Sequence, residues 1–380
     1  MSSLGLYIHV PFCAKICDYC DFHAFSAPEW LQLEYLNLIS REMSAFAEGH
    51  PGVFSRVDTL YIGGGTPSVL PEGRLEELFG IIAGCGVDLH ALKEATMEFN
   101  PESCDEGRVS VAISSGITRA SLGLQTLHDG LLSRAGRQHD VATGKRALDL
   151  LTSRKGLRVN ADLMFNLPGQ TLGDMLADVD WLTDRPLGHV SFYGLKVDPT
   201  RRLGRRIARG EESVDEDLYA EMYLRGVEML EKKGFLRYET SNFARPGEES
   251  LHNLNYWRRG EYLAFGPSAH GFLGGERYSL PERYAPWREY VKNGCPRSGL
   301  SLDVLTPEDE IAEIIQLSLR TRDGLALETL KNRGTSIKPE AIGRWVSRGY
   351  LENAQGVIRL VGDGWLFMDS VVLDLYSNLE

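Results

Sequence analysis

The sequence predicts an α/β protein: an incomplete six-stranded (β/α) barrel followed by a mainly helical, winged-helix-like C-terminal domain. Two observations predict the barrel. Short β-prone apolar runs alternate with amphipathic helical patterns over residues 4–198, and glycine or polar residues follow the ends of those runs. Six such units are fewer than the eight that close a barrel, so we expect an open side that admits a ligand.

The predicted strands are the six β-prone runs at residues 4–10, 57–62, 94–99, 119–123, 158–164 and 189–195. The helices predicted between them have apolar residues at three- and four-residue intervals, at residues 29–47, 74–83, 141–153 and 172–183. Later in the chain we expect helices at 218–233, 308–319 and 339–348 and a hairpin at 350–360.

The length of 380 residues exceeds the size at which a single core usually stops growing, about 250–300 residues. We therefore expect residues 1–200 to form the partial barrel and 201–299 a connecting region that carries its own motif. Residues 300–380 are expected to form the small C-terminal domain.

Composition excludes several classes of protein. With 43% apolar and 25% charged residues, the chain has the composition of an ordinary globular protein. A net charge of −12 argues against nucleic-acid binding, which requires basic residues to neutralise phosphates. No apolar run approaches the length of a membrane span, and the first residues, Met-Ser-Ser-Leu-Gly, do not read as an export signal. Together with clustered thiols, this leads us to expect a cytoplasmic protein.

Three of the six cysteines, Cys13, Cys17 and Cys20, fall within eight residues directly after the first predicted strand. Soft thiolate ligands select zinc, Cu(I) or iron–sulfur clusters. Cys85, Cys104 and Cys295 are scattered, so no fourth cysteine completes the set. On a four-iron cluster, three sulfurs leave one iron open to a small molecule. The alternative is a structural zinc site of three cysteines and one histidine.

Unusual residues also follow the other predicted strands. The second strand leads into a triple glycine, whose backbone can approach a ligand closely. Taken singly, each of these residues is more often structural, but together they surround one rim, where barrel proteins place their sites. They are Gly63, Gly64, Gly65, Thr66, Glu98, Gln125, Asp162 and Tyr193, with Arg137 just beyond the fourth strand. Arg137 is a candidate partner for a ligand carboxylate.

Several motifs together give a specific resemblance. They are Tyr-Ile-His-Val-Pro-Phe-Cys (7–13), the cysteine loop, Tyr-Ile-Gly-Gly-Gly-Thr-Pro (61–67), Leu-Gly-Leu-Gln (122–125), Gly-Arg (136–137) and Ala-Asp-Leu (161–163). In this order they resemble the oxygen-independent coproporphyrinogen III oxidase family, part of the radical S-adenosylmethionine (SAM) superfamily. The similarity extends over nearly the whole chain.

The resemblance implies a cofactor set and its residues. Cys13, Cys17 and Cys20 would hold a [4Fe–4S] cluster whose open iron SAM chelates, and Tyr19 before the last cysteine is typical of such loops. The residues implied to bind SAM are Tyr7, Gly64, Gly65, Thr66, Glu98, Gln125, Arg137 and Asp162. One departure is Asn166, where the family commonly has glycine; asparagine tolerates left-handed backbone, so we expect little disturbance.

Two features place the chain in the haem-chaperone branch of that family. The true oxidases carry a further cysteine where this chain has Phe22. The sequence His252-Asn-Leu-Asn-Tyr256-Trp257 matches the HNxxYW motif associated with haem binding in that branch. Imidazole is a common haem ligand, and the two aromatic rings offer a flat apolar surface. The alternative is a histidine and two aromatics that simply pack between domains. His270 is a weaker candidate ligand.

The sequence thus predicts a haem chaperone that passes haem to an acceptor protein and carries a SAM-bound cluster, with a possible electron donor as a further partner. Membrane contact is expected only through the acceptor. The alternatives are a coproporphyrinogen oxidase, whose activity we expect to be absent, and a radical SAM enzyme with another substrate. An arginine series (Arg201, Arg202, Arg205, Arg206 and Arg209) could meet haem propionates or an acidic partner, although a solvated helix face is the default.

Overall fold

The computed structural model describes residues 3–380, so residues 1 and 2 of the predicted first domain lie outside the described part of the chain. Its strands are β1 (Leu4–Val10), β2 (Val57–Gly64), β3 (Glu94–Phe99), β4 (Arg119–Gln125), β5 (Arg158–Phe165), β6 (His189–Gly194), β7 (Leu236–Arg237), β8 (Asn242–Ala244), β9 (Glu261–Phe265), β10 (His270–Leu273), β11 (Glu276–Ser279), β12 (Ser301–Val304), β13 (Leu325–Ala326), β14 (Leu351–Ala354) and β15 (Val357–Leu360).

The helices are α1 (Glu29–Gly49), α2 (Glu72–Gly84), α3 (Glu106–Ser114), α4 (Asp129–Arg134), α5 (Val141–Thr152), α6 (Leu172–Thr183), α7 (Arg202–Ala208), α8 (Glu216–Lys232), α9 (Leu251–Trp257), α10 (Tyr284–Lys292), α11 (Pro307–Ser318), α12 (Leu327–Lys331), α13 (Pro339–Ser347) and α14 (Met368–Ser377). In the part of the chain described, no helix is both long and apolar enough to cross a bilayer.

Strands β1 to β6 are parallel neighbours in chain order, as expected for alternating β/α units. The sheet is larger than expected, because the connecting region adds strands at both edges. Strand β9 pairs in parallel with β1 and leads into antiparallel β10, β11 and β12. At the other edge β8 and β7 follow β6 in antiparallel pairing. The twelve strands run in the order β12-β11-β10-β9-β1-β2-β3-β4-β5-β6-β8-β7, so the barrel is open.

The two faces of the parallel strands have different chemistry. Successive residues of a strand point to opposite faces. On β4, Ala120, Leu122 and Leu124 are fully buried on the face that packs against the surrounding helices, whereas Arg119, Ser121 and Gly123 line the interior. This alternation gives the barrel an apolar outer layer and a polar interior.

The last part of the chain follows a helix–strand–helix–helix–strand–strand–helix order, α11-β13-α12-α13-β14-β15-α14. Its three strands form a separate small sheet in the order β13-β15-β14, which fits the winged-helix-like prediction. Strand β12, inside the predicted third domain, pairs with β11 of the large sheet. The domain boundaries themselves stay predictions.

Candidate functional site

A cavity of about 440 Å³ fills the interior of the barrel and opens beside the cysteine loop. It has the size of a small-molecule pocket. Twelve of the residues that the sequence predicts for the site line this cavity: Cys13, Cys17, Tyr19, Cys20, Gly64, Gly65, Thr66, Glu98, Gln125, Arg137, Asp162 and Tyr193. The structure therefore brings together side chains from the cysteine loop and from the carboxyl ends of β2 to β6.

The cysteine loop is held in place through Asp18, which is buried. Its backbone N–H donates to the carbonyl of Ala135 at 3.0 Å, and its carbonyl accepts from the N–H of Leu203 at 2.7 Å. Its carboxylate accepts from the guanidinium of Arg206 at 2.8 Å. A second arginine, Arg201, donates to the carbonyl of Asp21 at 2.8 Å. Helix α7 and the residue before it therefore hold the cysteine loop in place. The side chains of Arg201 and Arg206 make specific contacts with this loop and do not simply point into solvent.

Arg137 links the cysteine loop to the barrel. One guanidinium nitrogen lies 3.4 Å from the Sγ of Cys17, and the other donates to the carbonyl of Gly123 at 2.7 Å and to Oδ1 of Asn100 at 2.9 Å. Its Nε is buried and has no hydrogen-bond partner among the described residues. Asn100 also donates to the hydroxyl of Thr66 at 2.8 Å, and that hydroxyl lies 3.5 Å from the Sγ of Cys13.

The triple glycine is required because the backbone at the end of β2 lies very close to His9 and Phe12. Gly64 has φ of +103°, and a Cβ there would lie 2.4 Å from Nδ1 of His9. A Cβ on Gly65 would lie 2.5 Å from the carbonyl oxygen of Phe12, the residue before the first cysteine. Only glycine fits, because the β2 end runs directly against the start of the cysteine loop.

Two carboxylates face the cavity above this loop. Glu98 accepts hydrogen bonds from the hydroxyl of Tyr61 at 2.8 Å and the backbone N–H of Gly64 at 3.2 Å. Burial raises the pKa of Glu98 to about 7, with a further upward effect from Asp162. Burial also raises the pKa of Asp162, which accepts from Nδ2 of Asn160 at 2.7 Å. These are acceptors suited to ammonium or hydroxyl groups of a ligand.

The three thiols of the cysteine loop have the chemistry of soft metal ligands. Burial raises the pKa of Cys13 and raises that of Cys20 to about 12, so these thiols need a metal to become thiolates at neutral pH. Among residues 3–380, no three Cys, His, Asp or Glu side chains are arranged around one point as a zinc ion requires. Thiolates on three corners of a cubane bind three different irons and need not converge in this way.

The cavity lining does not include the predicted residues Tyr7, Gly63, His252, Tyr256 and Trp257. The Tyr7 hydroxyl lies 3.0 Å from Nδ1 of His9, beneath the glycine turn. His252 is fully buried. Its Nδ1 lies 2.9 Å from the hydroxyl of Thr59 and its Nε2 lies 2.7 Å from that of Tyr256, so both ring nitrogens are engaged. Trp257 is half-buried at the end of the same helix.

Helix α9, which carries the HNxxYW motif, closes the end of the barrel where the parallel strands begin. We call this the lower end, opposite the cysteine loop. The buried carboxylate of Glu94 accepts from the hydroxyl of Ser250 and from the backbone N–H groups of Leu251 and His252, at 3.0 to 3.1 Å. Arg119 donates to the same carboxylate at 3.1 Å. The motif therefore packs against the barrel, whereas His270, the weaker candidate ligand, is exposed.

The polar interior below the predicted site was not predicted from the sequence. It consists of alternate residues on neighbouring strands, namely Thr96, Arg119, Ser121, Asn160, His189 and Ser191, together with Ser250 and Asn253 of the segment around α9. A two-residue polar period within otherwise apolar strands is the signal that would have found them.

Asn166 behaves as predicted. Its φ is +61°, the left-handed conformation that asparagine tolerates.

Comparison with known proteins defines the class and then the family. Residues 7–182 match the family model of the radical SAM superfamily. Membership in this superfamily implies a [4Fe–4S] cluster and SAM as cofactors. The chain is 34% identical to the heme chaperone HemW of Lactococcus lactis, over 86% of this chain and 84% of the relative. It is 31% identical to that of Bacillus subtilis, over 96% of this chain and 97% of the relative. The chain belongs to the HemW family.

A solved structure shares the fold. Coproporphyrinogen III oxidase (HemN) of Escherichia coli, described as a radical SAM enzyme, superposes with a TM-score of 0.85 over 99% of this chain and 90% of its own. The sequence identity is 19%, so the likeness shows the common fold and not a common reaction.

Proposed function

We propose that this chain is a haem chaperone, which binds haem and passes it to an acceptor protein in the cytoplasm. The observation that carries the proposal is the full-length similarity to the heme chaperones HemW, at 31% identity over 96% of the chain. The barrel would serve as a scaffold for a [4Fe–4S] cluster with bound SAM.

Cys13, Cys17 and Cys20 are the proposed cluster ligands. They are free thiols at the mouth of the cavity, and the other three cysteines do not line it. Three ligands would leave one iron for SAM, and a bound cluster, once reduced by an external electron donor, would supply an electron. The guanidinium of Arg137, which lies beside Cys17, would offset negative charge at the cluster and at the SAM carboxylate.

The proposed SAM site lies between the glycine turn and the two carboxylates. Gly64 and Gly65 bring their backbone carbonyls to the cavity wall, where these can accept from the ammonium group of an amino-acid moiety, whereas their N–H groups already donate to Glu98 and Val10. The hydroxyl of Thr66 lies at the same wall. Glu98 and Asp162 provide acceptors for ammonium or ribose hydroxyl groups. Gln125 holds the left-handed backbone position, with φ of +69°, at the end of β4, and Tyr19 lines the wall beside Arg137.

Phe22 favours the chaperone over the oxidase. The oxidases of the family that this chain resembles have a cysteine at this position. Here a phenylalanine side chain, 62% exposed, extends from the loop. An exposed apolar ring next to the cluster loop suits contact with a partner protein or a macrocycle better than catalysis inside the barrel. The partners we propose are the haem acceptor and an electron donor that reduces the cluster.

The HNxxYW helix is the proposed haem site, with His252 as iron ligand and Tyr256 and Trp257 as apolar contacts. Ligation by His252 requires that its Nε2 exchange the hydrogen bond to Tyr256 for iron, and therefore that α9 moves away from the barrel. If α9 remains packed against the barrel when haem is added, the role of His252 is to hold this helix in place and not to bind iron.

Two measurements on the anaerobically reconstituted protein test the proposal. Titration with haem should give a Soret band characteristic of ligated iron, and the proposal fails if the spectrum remains that of free haem. Incubation with SAM, reductant and coproporphyrinogen III should give no protoporphyrinogen, and its appearance would instead establish the oxidase. His252→Ala, compared with the exposed His270→Ala, decides which histidine ligates the iron.

A further inference from the structure

We propose that the lower part of the barrel cavity is a second binding site, which takes the carboxylate of a small organic molecule through Arg119 and Thr96. This inference rests on the geometry of the cavity and does not depend on the haem function.

Two polar groups at this level lack partners. Nη1 of Arg119 and the hydroxyl of Thr96 are buried and make no hydrogen bond within residues 3–380. Both residues line the cavity, and their side chains are almost fully buried, with Arg119 only 2% exposed. A buried guanidinium nitrogen without an acceptor costs free energy, so the site favours an occupant that accepts hydrogen bonds.

The two groups are neighbours in the sheet. Thr96 and Arg119 are paired positions of the parallel strands β3 and β4, which lie about 4.8 Å apart. A carboxylate has two oxygens, and the pair offers one charged donor and one hydroxyl donor for them. The two donors therefore suit the two oxygens of a carboxylate better than the one oxygen of a carbonyl group.

The charges around the site also favour an anion. Arg119 and Arg158 share one carboxylate, that of Glu94, at 3.1 and 3.4 Å. His189, which also lines the cavity, stays neutral because burial holds its pKa well below the usual value. Its ring nitrogens are already engaged by Asn160 and Tyr238, at 2.6 and 2.8 Å. Among the described residues that line the lower cavity, Arg119 is therefore the cationic side chain with a donor still free.

The inner site lies one level below the proposed SAM site in the same cavity, since Thr96 precedes Glu98 by two residues on β3. Arg119 precedes Gly123, which Arg137 contacts, by four residues on β4, a distance of ~13 Å at about 3.3 Å per residue. The intermediate level is occupied by Ser121 and Asn160, which are paired positions of β4 and β5. Since α9 covers the lower end, a molecule would enter from the mouth and bind before SAM covers it.

Propionate, with neutral propionamide as its isostere, is the probe. Calorimetric titration of the reconstituted full-length protein should show propionate binding at least about tenfold tighter than propionamide, because a charge-assisted hydrogen bond is lost with the amide. Thr96→Val should weaken propionate binding about two- to tenfold. Thr183→Val, a buried threonine of α6 outside the cavity, should leave it unchanged.

Arg119→Gln should abolish propionate binding, but it also removes donors to the carbonyls of Glu248 and Glu249 and can unfold the protein. Thr96→Val then decides the matter. Equal affinities for propionate and propionamide, or wild-type affinity in Thr96→Val, would mean that only water binds to Nη1 of Arg119 and the hydroxyl of Thr96. If propionate competes with SAM equally in wild type and Thr96→Val, it occupies the SAM site, and the inner site is refuted.

Discussion

Nη1 of Arg137 lies 3.4 Å from the Sγ of Cys17, so one guanidinium joins the proposed cluster ligand to the barrel wall. The same group donates to the carbonyl of Gly123 at the end of β4. The charge beside the thiol and the position of the loop therefore depend on one side chain.

Arg137→Lys should weaken SAM binding by about tenfold, because an ammonium cannot reproduce the planar set of donors that reaches Cys17, Asn100 and Gly123 at once. The measurement is the SAM-induced change in the electron paramagnetic resonance spectrum of the reduced cluster. Arg146→Lys, on the exposed side of α5, is the matched control. Equal SAM titrations in the two variants would contradict the role of Arg137.

Replacing any one of Cys13, Cys17 and Cys20 by serine should abolish the [4Fe–4S] cluster, since thiolate ligands are needed for it. Iron and sulfide are quantified after anaerobic reconstitution. The matched set is Cys85→Ser, Cys104→Ser and Cys295→Ser, whose side chains lie outside the cavity. Retention of four irons in a loop variant, or their loss in the matched set, would refute the assignment.

Gly64→Ala should impair SAM binding and destabilise the β2 turn, because φ is +103° and the new Cβ would meet His9 at 2.4 Å. Gly73→Ala is the control: it lies in α2 with nothing within 4 Å of the new Cβ, so it should be neutral or stabilising by about 0.5–1 kcal/mol. Thermal unfolding and SAM titration of both variants test this. Normal behaviour of Gly64→Ala would show that the turn tolerates a side chain.

His252→Ala should lower the free energy of unfolding by about 1–3 kcal/mol, because it leaves the buried hydroxyls of Thr59 and Tyr256 without their partner. Urea unfolding at neutral pH measures the loss. His270→Ala, at an exposed position, should change the stability little. A neutral effect of His252→Ala would mean that α9 is not held to the barrel by this imidazole.

The same histidine makes stability depend on pH. Burial lowers the pKa of His252 from 6.5 to about 4, so the unfolded chain binds a proton there that the folded chain does not. Its contribution is therefore complete above about pH 6.5 and is lost as the pH falls towards 4. Unfolding free energies between pH 7.5 and 4.5 should fall more steeply in wild type than in His252→Ala, and parallel curves would exclude this linkage.

The local pattern of the sequence predicted much of the barrel. Strands β1 and β3 have the predicted bounds, and β2, β4, β5 and β6 differ from theirs by one or two residues, because alternating strand and helix patterns are local properties. The cysteine triplet is equally local. Short strands such as β8, only three residues long, were missed because so few residues carry no periodic signal.

What the sequence determined by itself was the parallel (β/α) order, the cysteine loop and the residues of the rim. Tertiary structure decided the rest: that Arg206 braces Asp18 from 188 residues away, that His252 faces Thr59 inside the protein, and that Arg119 retains a free donor in the barrel. The physical reason is that periodicity specifies which face a residue occupies. Burial and hydrogen-bond partners depend on which distant segment packs against that face.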